Sequence, residues 1–221
     1  MVSSVLAPVQ QRGREALQRL GLPTRKQEAW RLTDLKRLEA LATLPEVSEI
    51  SDPSMPEVSD GVTRLVLGGQ RDPLDGVSLP EGVSPLTDAE LNRSLGQTLD
   101  HCGCAEAWPV ELNHAHIQHV LALRVCGKVS ALELVLATGV GLTATRVLLL
   151  LEDNAELELL QVIPSGSSSS DGPCAHSHVM EAHLGQNARL RHGVLASGSG
   201  DASLMVHLAI EQEPSSHYGL T

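Results

Sequence analysis

The sequence predicts a mainly β fold preceded by a small helical N-terminal region. Three observations carry that prediction. From about residue 110, apolar and polar residues alternate with a period of two, the signature of strands with one buried face. The core must be aliphatic, because 221 residues include no Phe, one Tyr and two Trp although 42% are hydrophobic. Leu, Val and Ala layers of this kind suit packed β-structure. Before residue 43, Leu17, Leu20, Leu35, Leu38 and Leu41 recur at helical spacing.

The elements follow in order. Val9 to Leu20 reads as one helix, ended by Gly21, and Thr24 to Leu41 as another. Thr24 can act as the N-cap, with Gln27 reaching back as in a capping box. Residues 43–60 are rich in Pro, Ser and acid and read as a linker or surface loop. Thr63 to Leu67 is a short strand, followed by turns at Gly68-Gly69, Asp75-Gly76 and Glu81-Gly82. Leu91, Leu95 and Leu99 lie four apart and suggest a helix over 87–105. Strands then follow at Leu121–Cys126, Leu132–Leu136 and Glu156–Val162. Asn154-Ala155-Glu156-Leu157 is echoed by Asn187-Ala188-Arg189-Leu190. Many short strands without helical crossovers leave a sandwich, a barrel or a β-solenoid open, and the echo with the aliphatic core favours the solenoid. The chain is thereby divided into a helical region (1–42), a mixed connecting region (43–108) and a β region (109–221). Ser165 to Pro173 reads as a solvated insertion between strands.

Composition excludes several classes. A net charge of -11 argues against nucleic acid as a partner, since phosphate contacts need Lys and Arg, and against an anionic membrane surface. The longest apolar run, Val147 to Leu151, is far short of the roughly 20 residues of a membrane span. The N-terminal residues lack a signal-peptide core. A cytoplasmic protein, or its equivalent in the plastid stroma, is expected, with Cys102, Cys104, Cys126 and Cys174 as thiols.

Ten His and four Cys prompt a test for metal ligands. The candidates are Cys102 and Cys104 in His101-Cys102-Gly103-Cys104, and Cys174, His176 and His178, which share one face if they lie on a strand. His114, His116 and His119 form a further cluster. Successive same-face positions are about 7 Å apart, too wide for one ion on a straight strand, and the usual zinc spacings are missing. Gly68-Gly69-Gln70-Arg71-Asp72 lacks a P-loop lysine, and Gly198-Ser199-Gly200-Asp201 reads as a turn. Glu152 and Asp153 begin a turn without an evident partner. No catalytic constellation emerges.

One segment carries a resemblance. Gly21-Leu22-Pro23-Thr24-Arg25-Lys26-Gln27-Glu28-Ala29-Trp30-Arg31-Leu32-Thr33-Asp34-Leu35-Lys36-Arg37-Leu38 resembles the N-terminal signature of the SufD family, subunits of the SUF iron–sulfur cluster assembly system. Arg146 to Leu157, and His178 through His207, resemble strand–turn–strand repeats of the SufB/SufD β-helix. The resemblance is strong over 12–42, moderate over about 120–221 and poor over 43–119.

It implies a right-handed parallel β-helix behind the helical region. It also implies a non-catalytic scaffold acting with a SufB-like protein and a SufC-like ATPase on an Fe–S cluster, with no cofactor held firmly by this chain. Family members are about twice as long, so a truncated or shortened relative is expected. The family's C-terminal helices and cluster-linked Cys and His have no counterpart here. An uncapped strand edge would invite another chain, including a second copy as a homodimer. The alternatives are a metal-binding domain using the Cys/His clusters and an enzyme on a β-solenoid.

Overall fold

The computed structural model describes residues 5–47, 50, 57–68, 72–164, 172–197 and 202–221. Most of the Ser-rich insertion, residues 165–171, and the Gly198–Asp201 turn lie outside them, as does part of the 43–60 segment.

Helix α1 spans Leu6–Leu20 and ends where expected, at Gly21 (φ 63°), whose N–H bonds back to the Leu17 carbonyl. The second expected helix is corrected. Gln27 does reach back to the Thr24 N–H (2.8 Å), but Thr24 to Gln27 close a tight turn and only a single 3₁₀ turn follows at Glu28–Trp30. Helix α2 begins later, at Leu35–Thr43. Half of a capping box can thus form without a helix behind it.

Strands β1 (Thr63–Leu67) and β2 (Val83–Pro85) precede helices α3 (Asp88–Ser94), α4 (Gln97–His101) and α5 (Trp108–His116). Thr87 and Glu90 form a complete capping box on α3. Gly96 (φ 89°) splits the expected 87–105 helix into α3 and α4. The remaining strands are β3 (Val120–Val125), β4 (Leu132–Leu136), β5 (Gly141–Leu151), β6 (Glu156–Ile163), β7 (Cys174–Leu184), β8 (Arg189–Ala196), β9 (Ala202–Gln212) and β10 (His217–Leu220).

They form two five-stranded sheets. The first has the order β1-β4-β6-β8-β10, the second β2-β3-β5-β7-β9. All neighbours are parallel except β2 and β3. Leu65, Leu134, Leu159 and Leu190 from one sheet and Leu123, Leu149, Met180 and Leu184 from the other bury a common aliphatic core.

The expected right-handed parallel β-helix is therefore corrected. The described residues form an α/β fold of two mostly parallel sheets with helices laid on the outside of the second. The helix that the sequence reading missed is α5. Trp108, Val110 and Leu112 alternate as strand residues would, while Glu111, Asn113 and His114 are buried as well. A helix enclosed on every side has no 3.6-residue stripe to detect. Among the described residues no helix is long and apolar enough to cross a membrane.

The covering helices sit closely. Leu38, Leu41, Trp108 and Leu112 pack onto Leu142 and Ala175. A Cβ on Gly13 of α1 would lie 2.5 Å from the Ala115 nitrogen of α5, so these helices need glycine where they cross.

Candidate functional site: a histidine layer between the sheets

At one end of the core the aliphatic layers give way to polar side chains. Thr143 and Thr145 on β5 stand in register with His176 and His178 on β7. Gln161 on β6 and His192 on β8 meet them from the first sheet. All six are buried.

Five of them, all but Thr143, form one continuous hydrogen-bond chain that starts at Tyr218 on β10. The Tyr218 hydroxyl lies 2.9 Å from His192 Nδ1, and His192 Nε2 lies 2.9 Å from Gln161 Oε1. Gln161 Nε2 is 2.9 Å from His178 Nε2 and 3.7 Å from the Met180 sulfur. His178 Nδ1 and His176 Nε2 each lie 2.8 Å from Thr145 Oγ1. The Gln161 amide sets the polarity. Its N–H₂ donates to His178 Nε2, so His178 carries its proton on Nδ1 and donates to Thr145 Oγ1. Thr145 then donates to His176 Nε2, which places the His176 proton on Nδ1. His192 donates through Nε2 to Gln161 Oε1 and accepts from Tyr218.

Burial pushes His176 and His192 down to about 4 and His178 well below the usual histidine range, the last also through the charges of His176, His192 and Arg146. The layer is therefore neutral at pH 7. Among the described residues, His176 Nδ1 and Thr143 Oγ1, on registered positions, have no hydrogen-bond partner.

A second polar group lies on the other side of the second sheet, beneath the helices. Arg146 and Glu181 are both fully buried and paired through Nη2 and Oε1. Glu181 also accepts the Gly96 N–H (3.0 Å) and the Leu99 N–H (3.3 Å) at the start of α4. Burial lowers the Arg146 guanidinium against the opposing pull of Glu181. Glu111 on α5 takes Arg12 of α1 (3.4 Å) and His114 (3.1 Å). Burial alone would raise the Glu111 carboxyl, but those two partners hold it below its usual value. Asn113 donates to the Thr145 and Ser177 carbonyls, each at 3.0 Å.

The candidates read from sequence are distributed across these regions. His176 and His178 lie together in the inter-sheet layer, ring centroids 6.4 Å apart. Cys174 is on the same strand at its half-buried start. Cys102 and Cys104 sit elsewhere, at the end of α4. His114 pairs with Glu111, and His116 with Glu46 (2.9 Å). Among the described residues, no group of three His, Cys, Asp or Glu side chains is placed to hold a metal ion.

The reading from sequence missed Thr145, Gln161, His192 and Tyr218 as partners of the histidines, and Arg146 with Glu181. Gln161 and His192 occupy inward positions of alternating strands, so a polar residue there was the signal. Arg146 and Glu181 are 35 positions apart, and only the β5/β7 register joins them. Comparison with protein-family models, curated proteins and solved structures finds no match to this chain.

Proposed function

We propose that this chain is a non-catalytic scaffold subunit in iron–sulfur cluster assembly, acting with a SufB-like protein and a SufC-like ATPase. The observation that carries this reading is the segment from Gly21 to Leu38, with its likeness to the SufD signature. Its placement supports a role in contact rather than in chemistry. Trp30 meets Trp108 edge to face at 5.9 Å, which fastens the segment to the helical layer. Beside that anchor Leu32 is 93% exposed, and Leu20 and Leu22 are exposed too. Large apolar side chains left exposed along a segment fixed by an aromatic anchor suit a protein partner.

The test is co-purification of the full chain with SufB-like and SufC-like proteins. A stable complex is expected, weakened at least tenfold by Leu32→Asp with an unchanged thermal midpoint. A chain that stays alone at micromolar partner concentrations overturns the proposal.

A further inference from the structure

The tetrapeptide His101-Cys102-Gly103-Cys104 closes α4 in a defined turn. Cys102 keeps helical angles (φ -77°, ψ -3°), and Gly103 takes the left-handed region (φ 67°). The Gly103 N–H donates to the Asp100 carbonyl (3.0 Å) and the Cys104 N–H to the Leu99 carbonyl (2.9 Å). These are the paired bonds of a Schellman turn, which needs glycine at that position.

The turn sets the relation of the two thiols. Residues two apart span at most about 7 Å between Cα atoms when fully extended. A left-handed turn folds them closer, into the window of roughly 4.4 to 6.8 Å that a disulfide requires. Their environments differ. Cys102 is exposed, its sulfur 3.8 Å from the Ile210 carbonyl. Cys104 is half-buried, its sulfur 3.5 Å from the Leu99 carbonyl, against Leu99, Val110, Val179 and Ala209. One thiol is open to attack a reagent and the other waits behind it.

The flanking imidazole is held in place. His101 Nδ1 bonds Glu211 Oε1 (2.8 Å), and Glu211 Oε2 meets His183 Nδ1 (3.3 Å). This ties the turn to β7 and β9.

We propose that Cys102 and Cys104 form a redox-active dithiol that low-molecular-weight disulfides convert to an intramolecular disulfide. This does not depend on the scaffold reading. The Cys102 thiolate attacks one sulfur of R–S–S–R, that bond breaks, and the first RS⁻ leaves. The Cys104 thiolate then attacks the Cys102 sulfur of the mixed disulfide and expels the second RS⁻. The protein loses two electrons and two protons, and the small disulfide gains both as two thiols. Burial, and then the charge of Cys102 beside it, push the Cys104 thiol up, so the exposed Cys102 is the thiol that meets the reagent first.

The experiment equilibrates the reduced full chain with reduced and oxidised glutathione at varied ratios, quenches in acid, alkylates free thiols and maps peptides by mass. The expected result is a reversible loss of two hydrogens confined to the peptide holding Cys102 and Cys104, unaffected by Cys126→Ser. Cys104→Ser should instead accumulate a glutathione adduct on Cys102. Wild-type chain that accumulates that adduct, leaves both thiols free, or joins Cys102 to any other cysteine overturns the proposal. The wild-type map decides the matter even if a variant fails to fold.

Discussion

The two sheets share the same parallel ladder but face different surroundings, and their ion pairs show what that difference does. The second sheet is covered, since α4 and α5 pack against β5, β7 and β9. Its outward residues Arg146 and Glu181 are fully buried. In the first sheet β6 and β8 turn outward to water, where Leu160 and Leu195 are exposed and Arg191 meets Glu158 at 2.9 Å with both side chains mostly exposed. Each pair joins neighbouring parallel strands. On the covered sheet, loss of one partner strands a charge in a dry interior. On the open sheet, water takes the lost partner's place. A charge pair is thus a structural requirement in one sheet and a surface detail in the other.

The largest expected effect breaks the covered pair. Glu181→Ala should lower unfolding stability by about 3 to 5 kcal/mol, because Arg146 and the α4 N–H groups lose their shared acceptor. Glu158→Ala should change it by no more than about 1 kcal/mol. Urea unfolding of both variants measures the difference. Equal losses would erase the contrast between the sheets.

The next effect tests the layer between the sheets. His176 titrates near 4 in the folded chain and near 6.5 when unfolded. Its folded value is depressed, so its contribution is present above pH 6.5 and is lost as pH falls toward 4. The loss from His176 is about 3 kcal/mol, with His192 adding in the same direction. Urea midpoints should fall steeply between pH 6.5 and 4, and His176→Phe should flatten that slope.

The smallest effect compares two glycines. Gly13→Ala forces a contact with the α5 backbone and should cost about 1 to 3 kcal/mol, whereas Gly219→Ala on β10 meets open space and should be nearly neutral. Thermal midpoints of the two variants would show it.

Much of the ladder was legible in the sequence. Thr63–Leu67 and Leu132–Leu136 were read with their observed bounds, because period-two alternation reports a face directly. The Asn-Ala echo marks two equivalent turns. Asn154 (φ 62°) and Asn187 (φ 60°) both take the left-handed region, and their side chains bond at 3.3 Å. Among the candidate site residues, the pairing of His176 with His178 on one face was legible, since the two lie two residues apart on one strand. The partners that satisfy them were not, because Gln161 and His192 come from the other sheet. Helix α5 was illegible for the opposite reason, being buried on every side and so without a stripe. Pro109 in its first turn was the local signal available.

The sequence by itself determined local matters: which segments alternate, where Gly21 stops the first helix, and that the core is aliphatic. These depend on backbone angles and side-chain periodicity within a few residues. The tertiary structure alone decided that helices cover one sheet and leave much of the other to water. It also decided that Arg146 has a counter-charge and that three histidines stay neutral in one chain. Those outcomes depend on residues from 17 to 35 positions apart meeting where water is excluded. Burial there turns an ordinary polar side chain into one that must find its partner.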